Sequence, residues 1–299
     1  PTEHKSRQQR IRARLIRMIS YRLPRLIGRF QPDVLIHTHF LPPEILSALG
    51  QRQKVPQAVV VTDFAAHSLW LQPRVARYYV ATEDVAVHLR SVGVDAGRIR
   101  ITGIPIDPAF EAPLFKYEAR ARLSLPAGRD VLLVMAGGLS KPTLLELVRQ
   151  LRDFRHPLTA VIVCGRSLEL LGRLQAEVAD ARGLVQFRLL GFTQDIRYQM
   201  AAADLMVGKP GGLTTSEALA SALPMAVVQP YPIQEEANAN FLLEHGAAMR
   251  IEPLSVFSHK LRTYFDDPAR REGMRVAALK LAKPGASREI VRTLLDDPL

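Results

Sequence analysis

Two hydrophobic patterns alternate along the chain. Short runs of β-branched and aliphatic residues that end in polar residues predict buried strands of parallel sheets, at residues 33–37, 58–62, 78–81, 99–102, 131–136, 159–164, 186–190, 204–207 and 225–228. Between these runs, apolar residues recur at three- and four-residue spacing and predict helices at residues 83–92, 140–153, 167–181, 194–202, 214–222 and 235–244. Strands that alternate with helices indicate an α/β fold.

A proline-rich stretch at residues 103–113 interrupts this alternation and predicts a linker. The linker separates an N-terminal domain, residues 31–113, from a C-terminal domain, residues 114–299. Two doubly wound, Rossmann-like domains of this kind are expected to face a cleft, with a ligand at the carboxyl ends of the strands.

Residues 1–30 predict a basic amphipathic helical segment. They hold nine Lys and Arg residues and one acid, Glu3, and their apolar residues recur at helical spacing. Such a helix can lie on an anionic membrane surface, for which the candidate contacts are Arg10, Arg12, Arg14 and Arg17. A surface helix packed on a sheet fits the pattern equally well. No recognition motif accompanies the charge, so a nucleic-acid partner is not expected.

Composition excludes several classes of protein. The 299 residues carry a formal net charge of +11 and one cysteine, Cys164, so an internal disulfide is excluded. No apolar run approaches the roughly 18 residues that span a bilayer. No two aspartates stand at positions i and i+2, and no Cys/His cluster has zinc spacing. We therefore expect no metal and a soluble or peripheral protein.

The segment at residues 204–217 is the most informative. A strand leads into the loop Gly-Lys-Pro-Gly-Gly and then into a helix with hydroxyl groups in its first turn. Glycines allow a ligand close to the backbone, and a helix start favours an anion such as a diphosphate. The alternative is a tight turn with Thr214 or Thr215 as N-cap and Glu217 in a capping box. The spacing matches neither a P-loop nor a dinucleotide fingerprint.

A second polar segment, residues 230–240, follows the next strand. Its Gln, Glu and Asn side chains suit the hydroxyls of a sugar, although such a run is also common at an exposed helix start.

With these two segments in this order, the chain resembles the GT-B glycosyltransferases that include bacterial peptidoglycan N-acetylglucosaminyltransferase, plant monogalactosyldiacylglycerol synthase and bacterial processive diacylglycerol glucosyltransferases. The run at residues 208–217 is similar to the donor signature of that family. Residues 61–70 (Val-Thr-Asp-Phe-Ala-Ala-His-Ser-Leu-Trp) and 102–110 (Thr-Gly-Ile-Pro-Ile-Asp-Pro-Ala-Phe) resemble its glycolipid-synthase branch.

The resemblance implies roles for matching residues. Glu217 would hold the ribose of a UDP-sugar, and the turn that ends in Phe192 would read uracil through its backbone. His67 and Asp63 would orient the acceptor hydroxyl or take its proton, although His67 is also readable as a buried histidine that fixes a loop. The diphosphate would be held by Gly211, Gly212, Thr214 and Thr215. The sugar would be held by Gln234, Glu235 and Asn238.

The resemblance also implies an activity: inverting transfer of glucose or galactose from a UDP-sugar to diacylglycerol or a glycosyl-diacylglycerol, at the cytoplasmic face of the membrane, without metal or cofactor. A polyprenyl-linked or soluble acceptor, a GT-B epimerase and a non-catalytic binding module remain alternatives. Two features depart from the family. The usual Gly-rich strand–loop–helix with its histidine is absent before residue 32, so the N-terminal domain is expected to be truncated or to have lost that loop. The glycine-rich loop at residues 137–140 is shortened.

Overall fold

The computed structural model describes residues 22–48, 54–231 and 233–299. These residues form two compact units. The first contains the chain up to Ile104 together with Arg288–Leu299, and the second contains Pro105–Ser287. Each unit is built around its own parallel sheet.

The first unit alternates helices and strands. Its elements are α1 (22–30), β1 (Leu35–His37), α2 (Leu41–Ala48), β2 (Gln57–Val60), β3 (Arg77–Val80), α3 (Glu83–Ser91) and β4 (Ile99–Ile101). The four strands pair in the order β1-β2-β3-β4, all parallel. β2 and β3 are buried at every position, as expected for central strands covered on both faces.

The second unit has a larger sheet. Its elements are α4 (Lys116–Arg122), β5 (Asp130–Met135), α5 (Lys141–Arg152), β6 (Leu158–Val163), α6 (Leu168–Val178), β7 (Val185–Leu190), α7 (Ile196–Ala202), β8 (Leu205–Gly208), α8 (Gly212–Ala220), β9 (Met225–Val227), α9 (Gln234–Glu244), β10 (Ala248–Arg250), α10 (Phe257–Phe265) and α11 (Pro268–Leu281). Leu132, Leu147, Ile162, Val207 and Phe257 belong to its main apolar core.

The strand order of the second unit fixes where a ligand is expected. The six parallel strands run β10-β9-β8-β5-β6-β7, so the order reverses between β8 and β5. In doubly wound sheets the carboxyl ends of the strands at such a reversal form the usual binding crevice. The loops after β5 and β8 therefore lie at the position where ligand binding is expected.

The last helix, α12 (Ala286–Asp296), runs into the segment that belongs to the first unit. Ile290 packs into an apolar cluster with Val60 and Tyr79. Buried Arg77 donates hydrogen bonds from Nη1 to the main-chain oxygen of Asp297 at 2.6 Å and from Nη2 to its carboxylate at 2.7 Å. The C-terminal residues therefore complete the first unit.

The predicted elements and the observed ones agree in type, and most bounds differ by only a few residues. The units divide at residues 104/105 and 287/288, whereas the predicted domain limit lies at 113/114. Residues 105–113 do not form a free linker, because the 3-10 turn Pro108–Glu111 belongs to the second unit and buries Phe110. Of the predicted segment 1–30, only residues 22–30 lie within the described residues, and they are helical.

Candidate active site

Helix α8 begins directly after the glycine-rich loop and lacks a side-chain cap. Gly211 is its N-cap residue, with φ −64° and ψ 145°. The first main-chain bond of the helix runs from the Thr215 N–H to the Gly211 oxygen at 2.8 Å. The N–H groups of Gly212, Leu213 and Thr214 precede that bond and point toward the loop, as they do at every helix start. The alternative of a threonine N-cap with a capping box is wrong.

The two threonines of this first turn differ. Thr214 is half-buried, whereas Thr215 is fully buried and its Oγ1 has no hydrogen-bond partner among the described residues. With its main-chain N–H also committed to the helix, Thr215 presents no polar group to the loop in this structure. Of the four residues predicted to contact a diphosphate, Thr215 has a buried hydroxyl, and Gly211, Gly212 and Thr214 lie at the N-terminal end of the helix.

The glycines of the loop serve different purposes. A Cβ added to Gly208 would lie 3.3 Å from Cβ of Met135, so glycine there allows β8 and the end of β5 to approach closely. A Cβ added to Gly211 would meet nothing within 4 Å. The space in front of Gly211 is open to a ligand, consistent with a backbone that receives an anion.

Glu217 lies one turn further along α8 and is half-buried. Burial, and secondarily the negative charge of Asp107, raise the pKa of its carboxyl group from 4.5 to about 7. Asp107 also accepts a hydrogen bond from the Ala109 N–H at 2.8 Å and caps the 3-10 turn. The stretch predicted to be a linker thus contributes a charge to the candidate site.

The start of α9 is tied to the same loop. Asn238, predicted to contact the sugar, is fully buried and donates from Nδ2 to the Pro210 oxygen at 2.9 Å, so its amide holds the glycine-rich loop. Glu235 accepts from the Tyr231 N–H and lies 3.7 Å from Nζ of Lys209. Gln234 is half-buried in the same helical turn.

Sequence reasoning missed Lys209. Its Nζ lies 5.6 Å from the centre of the Tyr231 ring, and its side chain passes Gly138, where an added Cβ would be 3.2 Å from Cδ of Lys209. A cation in the loop that follows β8 places positive charge beside the uncapped start of α8. The Gly-Lys-Pro-Gly-Gly sequence contained the signal, because a lysine within a loop that suits an anion is a candidate contact.

Phe192 follows β7 at the same edge of the sheet. Its ring is 62% exposed, and the guanidinium carbon of Arg166 lies 5.2 Å from the ring centre. β7 is three strands from β8, which is about 14 Å at the usual strand spacing. A ligand that touches both Phe192 and the start of α8 must therefore be extended along the sheet edge.

His67 and Asp63 lie in the first unit, after β2. His67 is half-buried, with its ring 5.0 Å from Phe40 in an edge-on arrangement and 6.0 Å from Trp70. Burial lowers the pKa of His67 below 6.5; Asp63 opposes this shift and His39 adds to it. The imidazole is therefore neutral at neutral pH, the form that can accept a proton.

His39 was also missed. Its ring stacks on Phe40 at 4.2 Å, and Nδ1 accepts a hydrogen bond from the Leu41 N–H at 3.2 Å. The position of His39 directly after β1 was the available signal, because the carboxyl ends of adjacent parallel strands meet. Phe40, His67 and Trp70 place aromatic rings around the same point.

Within residues 22–48, 54–231 and 233–299, no three His, Cys, Asp or Glu side chains are grouped so as to hold a metal ion. None of the helices in that part of the chain has the length and hydropathy needed to cross a membrane.

Comparison with known proteins decides the family. Residues 1–106 match the family model of monogalactosyldiacylglycerol (MGDG) synthase, and residues 131–282 match the C-terminal domain of glycosyltransferase family 28. A processive diacylglycerol beta-glucosyltransferase of Bacillus pumilus is 30% identical over 94% of this chain and 73% of that protein. The chain belongs to this glycosyltransferase family. The corresponding enzyme of Bacillus subtilis is 35% identical over 78% of this chain, and the match spans 60% of that protein.

Solved structures agree on the fold. Acinetobacter baumannii MurG has a TM-score of 0.68 at 20% identity and covers 94% of this chain and 78% of its own. A UDP-GlcNAc 2-epimerase of Neisseria meningitidis, bound to UDP-GlcNAc, has a TM-score of 0.67 at 17% identity and covers 99% of this chain and 83% of its own. The predicted GT-B, α/β fold and the predicted glycosyltransferase family are confirmed.

Proposed function

We propose that this protein transfers a glucosyl or galactosyl group from a UDP-sugar to diacylglycerol or a glycosyl-diacylglycerol. The relatives that carry this activity in their names match most of the chain at 30–35% identity. The MGDG synthase match over residues 1–106 and the family 28 match over residues 131–282 support the same activity. The epimerase shares the fold at 17% identity, which carries no argument for its activity.

The uncapped start of α8 is the observation that carries the donor site. Three N–H groups, the positive end of the helix and Lys209 favour a diphosphate in front of Gly211. Glu217, one turn along the helix, is the proposed ribose contact. Gln234 and Glu235 are the proposed contacts to the sugar hydroxyls, and the backbone of the turn that ends in Phe192 is the proposed contact to uracil.

The proposed chemistry is a single displacement with inversion. The acceptor oxygen forms a bond to the anomeric carbon while the bond from that carbon to the β-phosphate oxygen breaks, and UDP leaves with the electron pair. The N–H groups at the start of α8 stabilise the charge that develops on the phosphate. The acceptor proton goes to His67 or Asp63, the proposed acceptor-side groups, and the neutral state of His67 suits it for this step.

We propose attachment to the cytoplasmic face of an anionic membrane through the basic N-terminal segment. Its predicted contacts Arg10, Arg12, Arg14 and Arg17 lie outside the described residues. In the described part of the segment, Leu26 is 62% and Phe30 is 80% exposed, one helical turn apart and flanked by exposed arginines. Apolar side chains among arginines suit the headgroup region of a bilayer.

Calorimetry with UDP tests the donor site. UDP titrated into the protein in EDTA should bind with saturation, more tightly than GDP or ADP, and Glu217→Ala should weaken binding at least tenfold, since a ribose contact to a charged group is lost. The control is Glu236→Ala, because Glu236 on α9 pairs with Arg250 on β10 at 2.8 Å. If the two substitutions weaken UDP binding equally, or if no nucleotide binds, the donor assignment is wrong. The non-catalytic binding module is then favoured.

A transfer assay tests the acceptor. UDP-glucose and UDP-galactose are supplied separately with vesicles that contain diacylglycerol, and the anomeric configuration of the product is read by NMR. A β-linked glycolipid from an α-linked donor is expected. Transfer only to a polyprenyl-linked or soluble acceptor would contradict the assignment of diacylglycerol.

Vesicle sedimentation tests the membrane surface. Leu26→Ser with Phe30→Ser should lower binding to phosphatidylglycerol vesicles, whereas Leu168→Ser, a change of a 79% exposed leucine in the second unit, should not. The double variant is also made in a protein in which Arg10, Arg12 and Arg14 are reversed in charge. Vesicle binding equal to that of the wild type in this combined variant would exclude this surface.

A further inference from the structure

A cavity of about 230 Å³ lies in the second unit, away from the donor loop. Asp204 and Pro224, which line it, stand immediately before β8 and β9, at the amino ends of these strands. The glycine-rich loop follows β8 at its other end, about 13 Å away for a strand of this length. The cavity is therefore distinct from the proposed donor site.

Side chains at the bottom of the cavity are buried, whereas side chains at its opening are exposed to solvent. Asp204 on the floor has a side chain only 6% exposed, and Tyr264 beside it donates its hydroxyl to the Asp204 main-chain oxygen at 2.7 Å. Lys116 and Arg275 at the mouth are 44% and 41% exposed. The apolar wall residues are Ala203, Ala222, Pro224 and Pro268. The cavity thus opens to solvent through a rim of cations.

The cations around the cavity exceed the carboxylates that pair with them by one. Lys116, Arg271 and Arg275 line the cavity, and Arg120 also binds Asp204; these four cations pair with three carboxylates, those of Asp204, Asp130 and Glu272. The carboxylate of Asp204 is already contacted by Lys116 at 2.7 Å, by Arg120 at 2.7 Å and by the Val131 N–H at 2.7 Å. Two of these donors, Arg120 and the Val131 N–H, lie outside the cavity lining, so the Asp204 carboxylate has little capacity left for the other rim cations.

Each rim cation retains donors that these contacts do not use. The ammonium group of Lys116 has three N–H bonds and spends one on Asp204. Arg271 contacts Asp130 and Asp204 through Nη2 alone, and Arg275 binds Glu272 through Nε and Nη2, so Nη1 takes part in neither set. Convergent guanidinium and ammonium donors are the chemistry that recognises phosphate oxygens.

We propose that this cavity is a binding site for a phosphate group, free or as the ester of a small molecule or lipid headgroup. Lys116, Arg271 and Arg275 supply the donors, and the apolar walls accept the carbon part of an ester. The site is independent of the donor loop, so both sites can be filled at once.

Titration calorimetry with inorganic phosphate and with glycerol 3-phosphate tests the proposal. Both should bind the wild type in the millimolar range or tighter, and Arg275→Gln and Lys116→Gln should each weaken binding about tenfold, because each removes a charged donor. The matched control is Lys141→Gln, which removes the α5 lysine of an exposed pair with Glu169 on α6. Any phosphate bound at the start of α8 would be retained in all three variants.

Chemical protection provides a second readout on the unaltered protein. Phosphate should slow the reaction of Lys116 with an amine-acetylating reagent, measured by peptide mass spectrometry, while the reaction of Lys141 keeps its rate. Sedimentation with phosphatidylglycerol vesicles separates the two sources: a loss of vesicle binding in Arg275→Gln assigns a lipid headgroup, and unchanged vesicle binding with lost glycerol 3-phosphate binding assigns a soluble ester. Absence of saturable phosphate binding, or equal weakening by the Lys141 control, overturns the proposal. Neither result depends on UDP.

Discussion

Glu217 changes charge within the physiological pH range. Burial, with the charge of Asp107, raises the pKa of its carboxyl group to about 7, so the protein in neutral solution contains both forms. The protonated form can donate to a ribose oxygen, whereas the ionised form only accepts. The group proposed to hold the nucleotide is therefore also a source of pH-dependent stability.

The first prediction concerns that stability. The folded state raises the pKa of Glu217 from 4.5 to about 7, so it favours the protonated form; this contribution is complete below pH 4.5 and is lost as the pH rises through 7. Relative to Glu217→Gln, the wild type should lose about 1–3 kcal/mol of unfolding free energy over that interval. Urea unfolding at several pH values measures it.

Glu236→Gln is the control for this experiment. A hydrogen bond from Arg250 lowers the pKa of Glu236, so its contribution to stability is present above its ordinary pKa and is lost as the pH falls. The two variants should diverge from the wild type in opposite directions. A stability difference for Glu217→Gln that does not vary with pH would contradict the burial of an ionisable carboxyl group.

A second prediction concerns the amide of Asn238. Asn238→Ala removes the hydrogen bond to Pro210 and leaves a buried main-chain oxygen unpaired, which should cost about 1–3 kcal/mol and weaken UDP binding through the loop. Asn240→Ala, which alters an exposed contact with Arg250, should change neither quantity. Thermal unfolding measures the stability of both variants, and calorimetry measures their UDP affinity. Similar changes in the two variants would show that Asn238 has no special role.

The sequence could identify the polar residues of the site but not the direction of each side chain. Thr215 and Asn238 stand among residues that suit a ligand, yet both are fully buried. Helix α8 begins at Gly212, two residues earlier than predicted, so Thr215 falls on the face that buries Ala218 and Leu219. Helix register decides which of several neighbouring polar residues faces outward, and a register difference of one or two residues is within the uncertainty of a sequence pattern.

At the level of elements, two glycines at the junction of β8 and α8 are needed for different structural reasons. Gly208 permits close packing of strands, and Gly211 leaves open space before a helix start. Both glycines belong to the same Gly-Lys-Pro-Gly-Gly motif. The sequence alone cannot distinguish their roles, because the role of Gly208 depends on its contact with Met135, which lies in a strand distant along the chain.

A pair of substitutions tests this distinction. Gly208→Ala should cost about 1–3 kcal/mol of stability, because its Cβ would lie 3.3 Å from that of Met135. Gly211→Ala should leave stability unchanged or slightly higher, since the position is open and its φ of −64° suits any residue, but should weaken UDP binding about tenfold. Unfolding and UDP titration are measured on both. Full UDP affinity in Gly211→Ala would exclude a diphosphate at the helix start.

The hydrophobic pattern predicted every strand of the described sheets except β10. β10 has three residues, of which only Met249 is buried, so it contributes almost no periodic signal. No element was predicted beyond residue 244, where α10, α11 and α12 lie. These helices carry many charged residues, and their buried apolar faces can be recognised only when the sheets that they cover are known.

At the scale of the whole molecule, the observed division into units differs from the predicted boundary, because long-range pairing leaves no local pattern. Arg77 and Asp297 are 220 residues apart, and nothing in the sequence near either one indicates the other. The proline-rich stretch at residues 103–113 begins at the first crossing between units, whereas the second crossing at 287/288 has no comparable composition.

The pairing of Arg77 with Asp297 supports a fourth prediction. The Arg77 side chain is 8% exposed, so Asp297→Ala would leave a buried cation without its carboxylate and should destabilise the first unit by about 2–4 kcal/mol. Asp296→Ala removes only an exposed contact with Arg292 and should cost less than about 1 kcal/mol. Urea unfolding measures the stability of both variants, and hydrogen exchange of the β3 amides measures the stability of the first unit in each. Equal stabilities would show that the main-chain contacts of Asp297 suffice.

The two crossings between units have a consequence for how the chain can be recombined. Because residues 288–299 belong with residues before 105, the second unit, in which we propose the donor site, is an insertion within the first unit. A chimera that exchanges donor preference with a related enzyme must therefore graft an internal cassette, residues 105–287, and keep the recipient's own C-terminal helix. A simple exchange of everything after the proline-rich stretch would pair Arg77 with a foreign tail.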